Sequence, residues 1–482
     1  MSLKKRITIA ILLVALIVVI ILGFLYVLLR KNSSIISNKD LDCKECNLII
    51  ISLTNTRKDH IGIYGYNRNT TPNIDYYFKD ALVFENVFSP TPWTLPNGVS
   101  LFTSLFPYKH KVVNRFNEKR EDINSIPEDK TMAELLGKNN YTTAAFTGGG
   151  DYNRIYGFDR GFDDYYDEIA FSGISNNVDL AIDWLEKNSK NKFFLFVQGF
   201  DTHCPFTSPD SYNELFDNSN SNLDASLCYW NFERNMTEKS GQYVVYKQGV
   251  KDKEPVSIIL NEEDRQKLVA KYDSSIRYAD NSLKRLFSTI TDLKLDKKTI
   301  IVFLSEHGDL IGEHGRFMRT DIRGAFFDSV LNVPLLIKYP YIKKEKRING
   351  LVNLVDIMPT LLSSLNISYN NKKLQGKDVR SAITNGRQIN AYAFAQIRYS
   401  GSKDNPFFKD IYDIYMVRDL KNKLIHERVL DLEDGRLKKE VYYLYNIVED
   451  KTESTNLFDG SHLYDRFNYI KDEMKVWEKI ID

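Results

Sequence analysis

Residues 302–315 read VFLSEHGDLIGEHG: an apolar run over 299–304 ends in Ser305, Glu306 and His307. A carboxylate beside an imidazole where a strand stops can ligate a cation or move a proton. Two other apolar runs end in polar residues. NLIIISL (47–53) is followed by Thr54, Asn55, Thr56 and Arg57, and FFLFV (193–197) leads to Asp201, Thr202 and His203. In an open parallel sheet ligands bind beyond the carboxyl ends of the strands, so three such ends can share one site. A fourth element, TPWTLPNG (91–98), leads into an apolar helical stretch that runs to Phe106. Thr94 stands where an N-cap is expected, with Pro96 in the first turn. The free N–H groups of a helix start receive phosphate or sulfate. A hydroxyl there can attack phosphorus or sulfur if a metal lowers its pKa.

Something must hold these four pieces together. Apolar runs at 47–53, 141–146, 193–197, 299–304 and 333–338 alternate with helical stretches. That alternation predicts an α/β fold, a mostly parallel sheet sandwiched by helices. Residues 205–260 interrupt the rhythm with a polar insertion, a surface excursion or a substrate lid. A long helix is expected over 261–287, with Asn261 as N-cap and acidic residues in its first turn. From about residue 370 short alternating segments, such as 411–418 and 441–447, predict a small antiparallel sheet. The chain closes on an amphipathic helix with Leu463, Phe467, Ile470, Met474 and Trp477 along one face.

The chain has 482 residues and a formal net charge of +1, which argues against nucleic acid as a partner. Residues 7–29 carry no charge and are long enough to cross a bilayer as a helix. No small-residue cleavage site follows, so they read as an uncleaved anchor. Lys4, Lys5 and Arg6 precede them and Arg30 and Lys31 follow; that slight bias favours a cytoplasmic tail over 1–6 and a large external part joined by a polar linker over 30–46. The expected location is therefore the cell membrane, single-pass. Four cysteines follow the anchor: Cys43 and Cys46 as a disulfide, redox or metal pair, and Cys204 and Cys228 as a potential bridge across the insertion. Sequons at Asn32, Asn69, Asn140, Asn235 and Asn366 suit an external glycoprotein.

Several long motifs, in order, carry a resemblance. RKDHIGIYGY (57–66), TPNIDYY (71–77), SPTPWTLPNGVSLFTSLFPYKH (89–110), GFDRGFD (157–163), YDSSIRYADNSLKRL (272–286), SEHGDLIGEHG (305–315), VDIMPTLL (355–362) and YLYNIVEDKTESTNL (443–457) span most of the chain. Together they resemble the sulfatase branch of the alkaline phosphatase superfamily, which includes lipoteichoic acid synthase-type phosphoglycerol transferases. The resemblance implies an alkaline phosphatase-like catalytic domain over 47–368 and a small α+β subdomain over 369–482. It implies Thr94 as nucleophile and one divalent metal ion (Mn, Mg, Ca or Zn) at Thr54, Asn55, Glu306 and His307. It places His203 at the transferred group or leaving oxygen, and Arg323 roughly where the family keeps a basic residue.

The sequence departs from that pattern where it matters chemically. Thr54 stands in place of a metal-binding Asp, Asn55 is neutral, and Glu306 is one methylene longer than the family's Asp. Hard cations want charged oxygens, so this set implies a weaker site than usual, or an empty one. Asp309 and Glu313 read as turn and helix residues. Family sulfatases use a Cys or Ser converted to formylglycine, whereas Thr94 resembles the transferases, where a phospho-threonine would form. Gly98 stands where many sulfatases have an Arg, and their Lys-x-His segment is absent from 147–157. Two readings follow. One is a membrane-anchored hydrolase or transferase acting on phosphate or sulfate esters of cell-surface glycans or lipid head groups. The other is an inactive sulfatase-fold protein that binds a surface glycan or a protein partner.

Overall fold

NLIIISL forms β1 (Asn47–Leu53), buried along its whole length at the centre of an eight-stranded sheet. A computed structural model of the chain describes residues 16–19, 36–116, 122–128, 131–206, 208–213, 215–223, 230–234, 242–247, 256–259, 261–315, 324–400, 410–458 and 467–481. The other strands of the large sheet are β2 (Leu82–Phe88), β3 (Thr142–Phe146), β4 (Asp164–Tyr166) and β5 (Phe193–Gly199). A small antiparallel sheet follows within the insertion: β6 (Trp230–Arg234), β7 (Gln242–Lys247) and β8 (Val256–Ile259). The large sheet is completed by β9 (Thr299–Leu304), β10 (Leu335–Lys338) and β11 (Lys346–Asn353), giving the order β11-β2-β10-β9-β1-β5-β3-β4. Strands β9, β1, β5, β3 and β4 are mutually parallel, and the central β9, β1 and β5 are buried along their whole length, as their apolar runs imply for strands covered on both faces. The run at 333–338 does form a strand, but β10 pairs antiparallel with both β9 and β2.

Alternate residues of β1 feed two cores. Leu48 and Ile50 pack with the helix Thr94–Thr103 and the helix Ile357–Ser364; Ile49, Ile51 and Leu53 pack with the helices Ile174–Asn188 and Glu262–Asp292. The long helix runs five residues past its expected end and starts as expected, with Asn261 accepting from the Asp264 N–H at 2.9 Å. The C-terminal region is an antiparallel meander of β12 (Ala393–Ser400), β13 (Ile411–Arg418), β14 (Asn422–Leu430) and β15 (Leu437–Asn446). One face packs on the main domain. The other carries the closing helix Asn468–Ile481 through Ile470, Met474 and Trp477; Leu463 lies outside the described residues.

Among the described residues no helix is long and apolar enough to cross a membrane. Of the stretch 7–29 only 16–19 are described, and they are helical, so the expected anchor falls largely outside the described residues. Cys43 and Cys46 form a disulfide, and Cys204 is also disulfide-bonded; Cys228 lies outside the described residues.

Three buried carboxylates tie remote elements to helix starts and turns. Asp201, past the end of β5, accepts the Ile174 N–H at 2.6 Å. Asp280 accepts the N–H groups of Asn73 and Ile74 at 3.1 and 2.8 Å, and Asp356 those of Asn353 and Lys377 at 2.8 and 2.7 Å. Burial outweighs these donors and pushes all three carboxyls up to about 6. A carboxyl whose pKa is higher folded than unfolded gives stability that is complete below the unfolded value and is lost as pH rises through the folded one. Raising the pH from about 5 to about 7.5 is therefore expected to lower the unfolding free energy by roughly 1 kcal/mol for each of these groups. Urea unfolding at the two pH values checks this; a protein equally stable or more stable at the higher pH would contradict it.

Candidate active site

The parallel strands deliver their polar ends to one edge. Thr94 begins the helix Thr94–Thr103 as its first residue; the N-cap is Trp93, whose backbone is extended. The expected cap role is thus corrected: the Thr94 hydroxyl serves no helix N–H. It lies instead 2.9 Å from His307 Nε2. The other ring nitrogen, Nδ1, lies 2.9 Å from the Gly308 carbonyl oxygen. A carbonyl can only accept, so Nδ1 carries a proton, and in the neutral ring Nε2 is then the acceptor for the Thr94 hydroxyl. The pair is arranged as a nucleophile and its base. Thr94 is 2 % exposed and His307 is 0 %.

Register explains how Glu306 meets β1. Ser52 pairs with Leu304 on one side and with Gln198 on the other, which brings Thr54 and Glu306 level, two residues further along. Thr54 Oγ1 donates to Glu306 Oε1 at 2.6 Å, and Ser52 Oγ donates to Oε2 at 2.8 Å. Gln198 Nε2 donates to Thr54 Oγ1 at 2.7 Å. The Glu306 carbonyl oxygen accepts from Ser89 Oγ and, at 2.8 Å, from Asn97 Nδ2, which docks the start of the nucleophile helix on the end of β9.

The family's divalent cation would sit among these residues, and they do not fit one. Thr54, Asn55, Glu306 and His307 offer one carboxylate, and that carboxylate is turned back onto two hydroxyls of β1 and its end. Asn55 directs its amide nitrogen, a donor, at Asp309 Oδ2, 2.9 Å away. Among the described residues no group of three or more His, Cys, Asp or Glu side chains is placed to hold an ion.

The surrounding shell is built of long-range bonds. Tyr272 of the long helix donates to the Asn55 carbonyl oxygen and accepts the Arg57 N–H, both at 2.7 Å. Arg57 pairs with Asp59 at 2.7 Å and with Glu313 at 2.6 Å, so Glu313 is an ion-pair partner rather than a plain helix residue. Ser305 Oγ accepts the Thr56 N–H at 3.1 Å and donates to the His307 carbonyl oxygen at 2.7 Å, stitching two strand ends together. His203 stands on the same edge. Its neighbour Thr202 donates to the Thr54 carbonyl oxygen, while its own Nδ1 lies 2.7 Å from the Cys204 carbonyl oxygen. Arg323 lies outside the described residues.

Sequence reasoning missed Ser52, Gln198 and the partnership of Asp309 with Asn55. The first two were detectable as polar breaks in otherwise apolar strands. Gly98 carries no arginine, and its surroundings leave no room for one. A Cβ there would lie 2.9 Å from both Tyr152 Cε1 and Phe158 Cζ. Gly98→Ala is expected to destabilise the fold by about 1–3 kcal/mol through overpacking, measured by denaturant unfolding; a neutral result would mean that the two rings move aside freely.

The Sulfatase family profile matches residues 46–367, and the profile described as N-sulphoglucosamine sulphohydrolase, C-terminal, matches 312–479. An ulvan-active sulfatase of Formosa agariphila is 25% identical over 458 residues, covering 82% of this chain and 81% of that protein. Arylsulfatase K of Gallus gallus is 26% identical over 322 residues, covering 60% of this chain and 58% of that protein. A solved structure described as being in complex with its substrate D-glucosamine-2-N,6-O-disulfate superposes with a TM-score of 0.69 at 16% identity, covering 90% of this chain and 98% of that one. That last likeness shows the fold. The Formosa and Gallus relatives are named as sulfatases, which gives no support to the transferase branch that the threonine suggested. With two thirds of its length matched by one family profile, the chain belongs to the sulfatase family.

Proposed function

We propose that the chain is a sulfatase-type hydrolase of sulfate esters on anionic glycans, with Thr94 as nucleophile and His307 as its base. The observation that carries this is the 2.9 Å contact between Thr94 Oγ1 and the acceptor nitrogen of His307. In the proposed reaction Thr94 Oγ1 bonds to sulfur while its proton passes to Nε2. The ester S–O bond breaks, and its electron pair leaves on the sugar oxygen, which takes a proton from His203 or from water. A water molecule then attacks the sulfothreonine at sulfur and releases sulfate and the Thr94 hydroxyl. The first N–H groups of the helix Thr94–Thr103 favour an anion at this place.

The recess that would receive a saccharide lies beside the nucleophile segment; Thr94, His203 and His307 do not line it. It measures about 470 Å³ and is lined by Tyr108, Lys111, Asn114, Phe116, Gln396 and Tyr415, among others. It adjoins the nucleophile segment at two points. The Gln396 N–H donates to the Pro90 carbonyl oxygen at 2.9 Å, and Arg115, between Asn114 and Phe116, sits 5.9 Å over the Trp93 ring. The aromatic faces and amides of the recess, with Lys111 and Arg398, suit a sulfated sugar, while Asp413 in the same lining works against an anion. Residues 7–29 would tether this domain to the membrane, with the site outside the cell. The Formosa relative, named as active on ulvan, supports a polymeric substrate.

A second reading is a sulfatase fold that binds a sulfated ligand without turning it over. The near-complete burial of Thr94 and His307 favours it. Incubation with a panel of sulfated oligosaccharides separates the two. Free sulfate, or a sulfo group on the peptide containing Thr94, supports hydrolysis. Saturable binding with neither supports the second reading.

A further inference from the structure

The place that a divalent cation takes in this family is closed here by the chain's own hydrogen bonds. The order of donors decides this. The Gly148 N–H donates to Gln198 Oε1 at 2.9 Å, which fixes the amide so that Nε2 faces Thr54. The Thr54 oxygen accepts from that nitrogen, so its single proton goes to Glu306 Oε1. Ser52 supplies its proton to Oε2. Both carboxylate oxygens therefore receive a hydroxyl proton from the β1 side, and the network is polarised toward the one negative charge. Ser52, Thr54, Gln198 and Glu306 are all 0 % exposed. The two departures from the family pattern fit each other. Thr54 removes a carboxylate and supplies a proton, and the extra methylene of Glu306 carries its charge far enough to collect it.

We propose that the Ser52–Thr54–Gln198–Glu306 network has replaced the cation, so that the chain neither binds nor needs a divalent ion for its fold. An ion entering this position would have to break both hydroxyl–carboxylate bonds and would find one carboxylate among Thr54, Asn55, Glu306 and His307 in return, the Asp309 carboxylate being engaged by the Asn55 amide. The inference stands apart from turnover at Thr94, because its readouts are ion binding and stability.

The test uses the whole chain, purified, with Ca²⁺, Mg²⁺ and Mn²⁺ as probes. Titration calorimetry is expected to show no saturable heat, and Tm is expected to be the same in EDTA and in excess calcium. A stoichiometric ion, with a Tm that falls on chelation, would overturn the proposal. Glu306→Gln gives a second, independent arm. It removes the charge on which the network converges, so Tm is expected to drop by about 2–4 °C, equally in EDTA and in calcium. A drop seen only in calcium would mean that Glu306 serves an ion, and would also overturn it. Restoring carboxylates with the double substitution Thr54→Asp, Glu306→Asp is expected to create calcium-dependent stabilisation that the parent chain lacks.

Discussion

Thr94→Ala is expected to lower kcat/KM on a sulfated oligosaccharide by about 10³-fold or more while leaving the fold intact. The hydroxyl lies 2.9 Å from His307 Nε2 and serves no capping bond at the start of its helix, which has no side-chain cap. Its removal should therefore cost only about 1 kcal/mol of stability, the usual net value of one hydrogen bond. Thr94→Ser keeps the oxygen and the proton route, so activity should stay within about tenfold of the parent. Substitution of His307 by Ala should cost about 10²–10⁴-fold, as loss of a general base does. The double variant should be little worse than Thr94→Ala alone, because the two groups act as one unit. Additive losses would mean that His307 serves some other step. Unchanged hydrolysis in Thr94→Ala would remove the threonine from the chemistry altogether.

Such predictions depend on parts of the molecule that a sequence exposes very unequally. Parallel strands buried on both faces must be apolar throughout, which is why β1, β5 and β9 are readable as runs and why their polar ends mark a site. The motif resemblance supplied the rest of the fold and put Thr94 and His307 in one site, but with His307 as a metal ligand; its direct contact with the threonine hydroxyl came from the structure. Direction was harder to read: nothing in VPLLIK distinguishes β10, the antiparallel strand, from a parallel one, because orientation is set by the connections and not by the residues. Thr94 looked like a cap because a local window cannot contain an imidazole 213 residues away that competes for the hydroxyl. The same distance hid the fate of Glu306. Its chemistry depends on Ser52, 254 residues earlier, and on a register that puts both on one face of adjacent strands. A substitution read alone, such as threonine for an acid at position 54, appears as a loss. Only the packed structure shows the compensating donor.

Lys423→Met should be the most damaging single change away from the site, costing about 3–5 kcal/mol of unfolding free energy. Lys423 on β14 is 0 % exposed, and its ammonium lies 2.6 Å from Asp328, 2.5 Å from Glu453 and 3.0 Å from the Phe326 carbonyl oxygen. Arg418 of β13 pairs with Asp328 at 2.5 Å and lies 4.2 Å over the Phe88 ring, and the Asp328 N–H donates to Glu453 Oε2 at 2.6 Å. This cluster joins the C-terminal meander to the end of β2 and to the segment just past Phe326. Burial pushes both acids up, but for Asp328 the Arg418 and Lys423 charges win and hold it well below the usual carboxylate range. For Glu453 burial wins, raising it to about 7 against the pull of Lys423. Removing the ammonium leaves two buried carboxyls facing one guanidinium, and the cheapest remedy is to protonate Glu453. The defect should therefore be largest near pH 8 and shrink toward pH 5.5, and Lys423→Met with Glu453→Gln should recover much of the loss at the higher pH. Urea unfolding of the three proteins at both pH values measures this. A loss under about 1 kcal/mol, or one that does not change with pH, would show that the cluster is not what holds the meander to the sheet.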